Sequence, residues 1–288
     1  MLEVRHPRFQ WHDTPLDWIP GDPHTTKVID VLHLLLPAGE RWMARVMKQA
    51  APLIEDAALR SDVEGFLRQE AWHGRSHAQV VEHWKELGVD VAAYAPQIDW
   101  LFDVLLADKP FGKRVPAWLR TRWIAWRVAV IAAIEHYTAV LAEFALDPAF
   151  LAGANPDPMM LDLILWHAAE EAEHGHVAFE ASIALGVGGA ARRLLFALVT
   201  AALWYEWIRG VRFLARADPN RRVRASWREF FRAARQGRLP TLGAALRWSI
   251  SYYKPHYNPR KQFATTRVRE VLARSPAVSA ARVHVHSR

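Results

Sequence analysis

Gln69-Glu70-Ala71-Trp72-His73 and His167-Ala168-Ala169-Glu170-Glu171-Ala172-Glu173-His174 each contain a Glu-x-x-His step. On a helix, residues three apart share a face, so each step aims a carboxylate and an imidazole at one point. The motif alone is weak, because Glu3/His6 and Glu173/His176 also satisfy it. Its weight comes from what precedes it. Glu40 lies 30 residues before Glu70 and Glu135 lies 36 before Glu171, so the chain reads as two similar helical hairpins. Each hairpin supplies one lone Glu and one Glu-x-x-His. This is the ligand set with which four-helix carboxylate proteins hold two metal ions. Four carboxylates and two imidazoles suit Fe(II), Mn(II) or a mixed pair, with iron the first expectation.

Working outward, Glu135 follows Val130-Ile131-Ala132-Ala133-Ile134, where a buried carboxylate is costly unless a metal or cation compensates it. The bland alternative is an Arg partner from another helix. His167 lies on the stripe of Glu171 and His174, as an additional ligand or a hydrogen-bond partner of one. His77 extends the Glu70/His73 stripe, as an additional ligand or, the favoured reading, behind the ligands and bonded to a ligand carboxylate. Glu170 and Glu173 point off the motif's face, toward solvent or toward the backs of the ligands.

The helices have readable ends. Thr25 or Thr26 can cap a helix over the Val28 to Ala51 region, with Pro37 expected to kink it before Glu40. Ser61 and Glu64 form a capping box for a helix through His77 that Gly88 closes. Pro96 to Ala107 contains a short helix. Pro116 opens a long one ending before Asp147-Pro148, and Asp157-Pro158 opens another running to Gly186 or Gly188. The fold class is therefore all-α: a four-helix bundle over residues 25–188, preceded by an extended arm (1–24). A basic helical extension (189–274) and a tail from Ser275, expected to be mobile, follow it.

Composition excludes several chemistries. The chain has 288 residues and no cysteine, so disulfides, thiolate metal sites, iron-sulfur clusters and cysteine nucleophiles are ruled out. Residues 189–288 hold 21 Lys/Arg against 4 Asp/Glu, leaving 16 against 26 in residues 1–188. Such a basic third suits an anionic membrane surface, a nucleic acid, or the acidic part of the same chain. The apolar run Leu194 to Ile208 is shorter than the roughly 20 residues that span a bilayer. Met1 to Pro23 lacks the apolar core of a secretory signal, so a cytoplasmic location, with membrane association as an option, is expected.

Pro37-Ala38-Gly39-Glu40, Gln69-Glu70-Ala71-Trp72-His73, Ile134-Glu135-His136 and His167 through His174 together resemble the bacterial family of predicted metal-dependent hydrolases, itself similar to the ferritin-like superfamily. The resemblance covers Lys27 to Gly188 and, more loosely, Tyr252 to Pro259, where Asn258 stands at the position expected to be His. It implies metal-dependent catalysis. His167-x-x-x-Glu171-x-x-His174 is also similar to the extra-histidine pattern of ferritin-like arylamine oxygenases, which implies O2 activation at a di-iron centre.

Three function classes follow. The first expectation is an O2-activating oxidoreductase acting on an apolar or aromatic small molecule and served by an electron donor. Trp42, Trp72, Trp123, Trp126 and Trp166 would line its access cavity, or simply pack the core. The alternative is a hydrolase using a metal-activated water. A third is a non-catalytic metal-binding or membrane-surface protein. Nucleic acid ranks last as a partner, and a homodimer is compatible with all three.

Overall fold

The computed structural model describes residues 2–219, 223–261 and 265–285. Its described residues form helices and connecting segments without a strand, an all-α protein.

Helix α1 (Pro23–Ala50) begins on Asp22, whose carboxylate accepts from the Thr25 backbone N–H at 3.2 Å. The expected cap, Thr25, is thus a donor to the actual one, and the helix runs through Pro37. Helix α2 (Ala57–Glu86) likewise begins earlier than the Ser61/Glu64 box implies. Asp56 accepts from Leu59 N–H at 2.9 Å, which leaves Ser61 inside the helix. Its end is where expected: Gly88 takes φ +85° and donates to the Lys85 carbonyl, while Val89 donates to Trp84.

A short helix α3 (Ala95–Trp100) leads to α4 (Ala117–Leu146), which follows Pro116 directly. Helix α5 (Pro158–His174) starts on Asp157, which accepts from Met159 and Met160. The single helix expected to reach Gly186 is broken at Gly175-His176, and α6 (Val177–Ala184) continues the path. Helices α1 and α2 pack together, α4 packs on α5 and α6, and α1/α4 and α2/α5 contacts close the ring. Short connections make the sequential partners antiparallel.

Beyond this core lie α7 (Gly189–Ala217), α8 (Trp227–Arg235), α9 (Leu242–Tyr252), α10 (Thr265–Arg274) and α11 (Pro276–Val285). Helix α7 lies against α1 and α4. At Gly210 a Cβ would meet the Val31 methyls at 2.9 Å, so α7 approaches α1 through a position only glycine fills. Trp207 Nε1 donates to the Val28 carbonyl at 3.0 Å across the same seam. Among the described residues the basic third meets the acidic part of the chain directly where Arg238 pairs with Asp22 and Arg260 with Glu180. Helix α7 is 29 residues long, not the short run read from Leu194 to Ile208. Both α4 and α7 are long and apolar enough to cross a membrane, but 67% of the apolar window of α4 is buried and only 17% of that of α7.

The tail reading needs correction over residues 276–285. There α11 packs on α5, Ala277 N–H donates to Asp162 at 3.0 Å, and Ala277 and Val278 are buried. Residues 286–288 lie outside the described residues.

Candidate metal centre

Helix α1 contributes Glu40, α2 contributes Glu70, His73 and His77, α4 contributes Glu135, and α5 contributes His167, Glu170, Glu171 and His174; all are buried. The i,i+3 geometry expected on α2 and α5 brings both Glu-x-x-His steps to one place. His174 Nε2 lies 3.3 Å from Glu70 Oε1, and His73 Nδ1 lies 3.4 Å from Glu171 Oε1. Two groups could each hold an ion: Glu40, His73, His167 and Glu171, and Glu70, His73, Glu171 and His174. In each, the ligand atoms lie within 4.8 Å of one another, and His73 and Glu171 are common to both.

Glu135 sits differently from the other carboxylates. Its Oε2 is 3.1 Å from His174 Nδ1, so it stands behind that ring rather than in either group of four. His167 stands forward: its Nε2 is 2.9 Å from Glu171 Oε1 and 3.4 Å from Glu40 Oε1. Each forward imidazole has a partner on its far nitrogen. Glu170 holds His73 Nε2 at 3.0 Å, Glu135 holds His174 Nδ1, and His77 Nε2 holds His167 Nδ1 at 2.7 Å. Such partners fix the tautomer and orientation of a ligating ring. His77 thus bonds to a histidine rather than to the expected carboxylate.

The convergence leaves polar atoms stranded. Both carboxylate oxygens of Glu40 and Glu70, one each of Glu135 and Glu171, His73 Nδ1 and His174 Nε2 are buried without a hydrogen-bond partner. Orphans of this kind are rare in folded proteins and costly singly. A set of them facing one another fits cations, and the donor set of oxygen and imidazole nitrogen fits the hard to borderline divalent metals.

The electrostatics agree. Burial, then the neighbouring Glu70 charge, pushes the Glu40 carboxyl well above its ordinary range, and burial with Glu171 does the same to Glu135. Glu70 is pushed up to about 7, chiefly by burial. Burial disfavours a charged His73, yet hydrogen bonds to Glu170, Glu171 and Glu70 outweigh it and hold that ring well above its usual value. Glu171 runs the other way: burial is overcome by His174, His167 and His73, and its carboxyl sits well below the usual range. The cluster thus draws positive charge to itself, as protons where no metal supplies it.

Two residues of the site had no signal in the local motif. Arg5, from the N-terminal arm, donates to Glu170 at 3.0 Å and to Glu173 at 2.8 Å, so the guanidinium backs the carboxylate that backs His73. His33, on α1, has Nδ1 2.7 Å from His77 Nδ1, making a buried row of His33, His77 and His167. Burial pushes the His33 ring down to about 3 and holds His77 well below its ordinary value, so both are neutral. Glu173, read as facing away, is tied to Arg5 and Gln69.

Four of the five tryptophans named above, all but Trp126, are packing residues. Trp42 and Trp166 are in the core, Trp42 and Trp123 donate to the carbonyls of Leu106 and Ala107, His6 stacks on Trp72, and Trp126 is exposed. The Tyr252 to Pro259 element docks on α4 beside the cluster. Tyr257 OH and the Trp248 carbonyl hold the two nitrogens of His136 at 2.8 and 2.9 Å. Asn258 accepts from Arg260 N–H in a local turn.

Comparison with protein families gives one match: the family described as predicted metal-dependent hydrolase, over residues 3–262. No curated protein and no solved structure matches the chain.

Proposed function

The chain belongs to the family of predicted metal-dependent hydrolases, and from that premise we propose that it is a hydrolase with two metal ions, iron or manganese, in the α1–α2–α4–α5 cluster. The observation that carries the proposal is the set of buried, unpartnered oxygens and nitrogens of Glu40, Glu70, His73, Glu171 and His174, residues that converge on one another, with Glu135 behind His174. The pairing of four helices around it supports a ferritin-like reading of the fold.

Glu40, His73, His167 and Glu171 would hold one ion, and Glu70, Glu171 and His174 would help to hold the other. When bound, the pair supplies Lewis acidity, which polarises a substrate oxygen and eases deprotonation of water. The chain's own groups set the stage for it. Glu170, braced by Arg5, turns His73 so that Nδ1 faces the cluster. Glu135 turns His174 so that Nε2 does, and leaves its own Oε1 as an acceptor for the proton that hydrolysis releases. With His167 Nε2 committed to the cluster, Nδ1 carries the proton and donates to His77, which in turn donates from Nδ1 to His33. Phe66 and Trp166 set ring edges against His174 and His73 and keep this wall of the site apolar.

The same ligands are compatible with the O2-activating reading, but the family description favours hydrolysis. The test is metal analysis of the purified chain, then turnover of aryl ester and aryl phosphate substrates with and without chelator. We expect two metals per chain and chelator-sensitive hydrolysis, both lost on changing Glu70 and Glu171 together to Ala. Full metal retention in that variant would overturn the site assignment. Bound metal with O2 consumption and no hydrolysis would replace the hydrolase by the oxidoreductase.

A further inference from the structure

A cavity of about 320 Å³ lies between α1, α4 and the C-terminal helices, with walls formed by Leu32, Leu141, Leu203, Trp207, Phe230 and Trp248. None of the candidate metal ligands lines it. Its volume is at the lower end of small-molecule sites, and such sites combine apolar walls with a few placed polar groups. An apolar cavity of this kind does not hold well-bonded water. One polar atom in the wall is unsatisfied: His24 lines the cavity, is 5% exposed, and has Nδ1 buried without a partner.

The cavity adjoins a second recess of opposite character. That recess is lined by Arg212, Arg216 and Arg224 with Ala215, Val223 and Ala225, and the two concavities share Arg212 and Ala225. Among the described residues none of the three arginines has an ion-pair or hydrogen-bond partner. Three unpaired guanidiniums beside an apolar cavity match the two ends of one kind of molecule. Arg forks favour carboxylate and phosphate, and the cavity favours a hydrocarbon. Trp204, Trp227 and Leu242 line the cavity while staying partly exposed, so its apolar surface reaches the outside.

We propose that this paired site binds a single-chain anionic amphiphile, a phosphate or carboxylate at Arg212, Arg216 and Arg224 with its hydrocarbon tail between α1, α4, α7 and α9. The shared chemistry can come from a free amphiphile or from a lipid leaving a bilayer. The site stands apart from the metal centre, so its fate in experiment is separate from that of the hydrolase reading.

The test titrates the full-length chain with dansyl-undecanoate, followed by fluorescence, with competition by dodecyl phosphate, dodecanol and inorganic phosphate. Saturable binding of one probe per chain is expected, displaced by dodecyl phosphate and at least roughly tenfold less well by dodecanol. Arg212→Gln with Arg216→Gln, both at exposed positions, should weaken dodecyl phosphate roughly tenfold and leave dodecanol unchanged. Ala245→Trp, which fills the cavity, should weaken both, with circular dichroism to confirm the fold. In a parallel arm, native mass spectrometry follows lipid uptake from phosphatidylcholine vesicles with and without lysophosphatidylglycerol, which has one acyl chain. Uptake of dodecyl phosphate from solution supports the free amphiphile as source, and uptake only from lysophosphatidylglycerol vesicles supports the bilayer. Absence of saturable binding in both arms, or dodecyl phosphate affinity indifferent to the arginine changes, overturns the proposal.

Discussion

Replacing Arg5 by Met asks whether the N-terminal arm is part of the metal centre. The Arg5 side chain is 8% exposed and lies 3.0 Å from a Glu170 carboxylate that is 0% exposed. At that separation and an effective dielectric near 20, the gross attraction is about 5.5 kcal/mol. Desolvation of both groups offsets much of it, but removing only the arginine leaves a buried carboxylate with His73 as its remaining partner, for which about 3 kcal/mol, the low end for breaking a buried pair, is the expected cost. Glu173 and Glu3, at 22% and 64% exposure, regain water and add little. For a chain of this size about 3 kcal/mol corresponds to a fall in Tm of roughly 6–12 °C. Glu170 also orients His73, so metal affinity should drop roughly tenfold to a hundredfold. Chemical denaturation and metal titration of Arg5→Met, Glu170→Gln and the double variant make a cycle, with a coupling energy of about 2 kcal/mol or more expected. If Arg5→Met unfolds within about 1 kcal/mol of the parent and binds metal as tightly, the arm is a passenger and the reasoning fails.

Four further outcomes follow from the same structure. Metal-free protein should lose stability as pH rises above about 6.5: histidines of the unfolded chain are by then largely neutral, while Glu70, near 7, and the raised Glu40, Glu135 and His73 release protons held only in the folded state. Loading metal should flatten or reverse that slope in denaturation midpoints, and a flat slope in the metal-free form would contradict the buried-carboxylate picture. His77→Phe removes the group that orients His167 and should weaken metal binding roughly tenfold to a hundredfold with helicity intact; unchanged titration would show that the row of rings plays no part. Gly210→Val drives a side chain into Val31 and should cost about 1–3 kcal/mol in urea unfolding, whereas a neutral result would mean α7 can step away from α1 freely. Asp162→Ala frees the start of α11 and should cost about 1 kcal/mol and speed limited proteolysis between α10 and α11; unaltered cleavage would assign the docking to apolar contacts alone.

What the sequence disclosed was local, and what it hid was distant. Spacing of three along α2 and α5 was enough to place Glu70 with His73 and Glu171 with His174, because that spacing translates directly into a shared helix face. Asp157-Pro158 and Pro116 marked true helix starts, since a fixed φ and a missing donor are properties of the residues themselves. The start of α2 was misplaced because Ser61/Glu64 and Asp56 are competing caps, and the longer helix buries more. Glu135 was read as a ligand of the same rank as Glu40, and nothing in a linear pattern separates a carboxylate before an imidazole from one behind it. Arg5 acts across 165 residues and His33 across 44, through contacts that no periodicity encodes.

The fastening of the arm also sets an order in time. Arg8 N–H donates to the Ala277 carbonyl at 3.0 Å, and Ala277 N–H donates to Asp162 across 115 residues of chain. Segments around positions 8, 162 and 277 therefore meet at one knot. At ordinary elongation rates of 5–20 residues per second, Ala277 follows His174 by roughly 5–21 s. Through that interval every side chain of the candidate cluster has been synthesised, while the arm that carries Arg5 still lacks its contact with Ala277. The nascent chain thus passes through a stage in which the side chains of the cluster exist and the arm beside them has one fastening fewer, the one that α11 adds last.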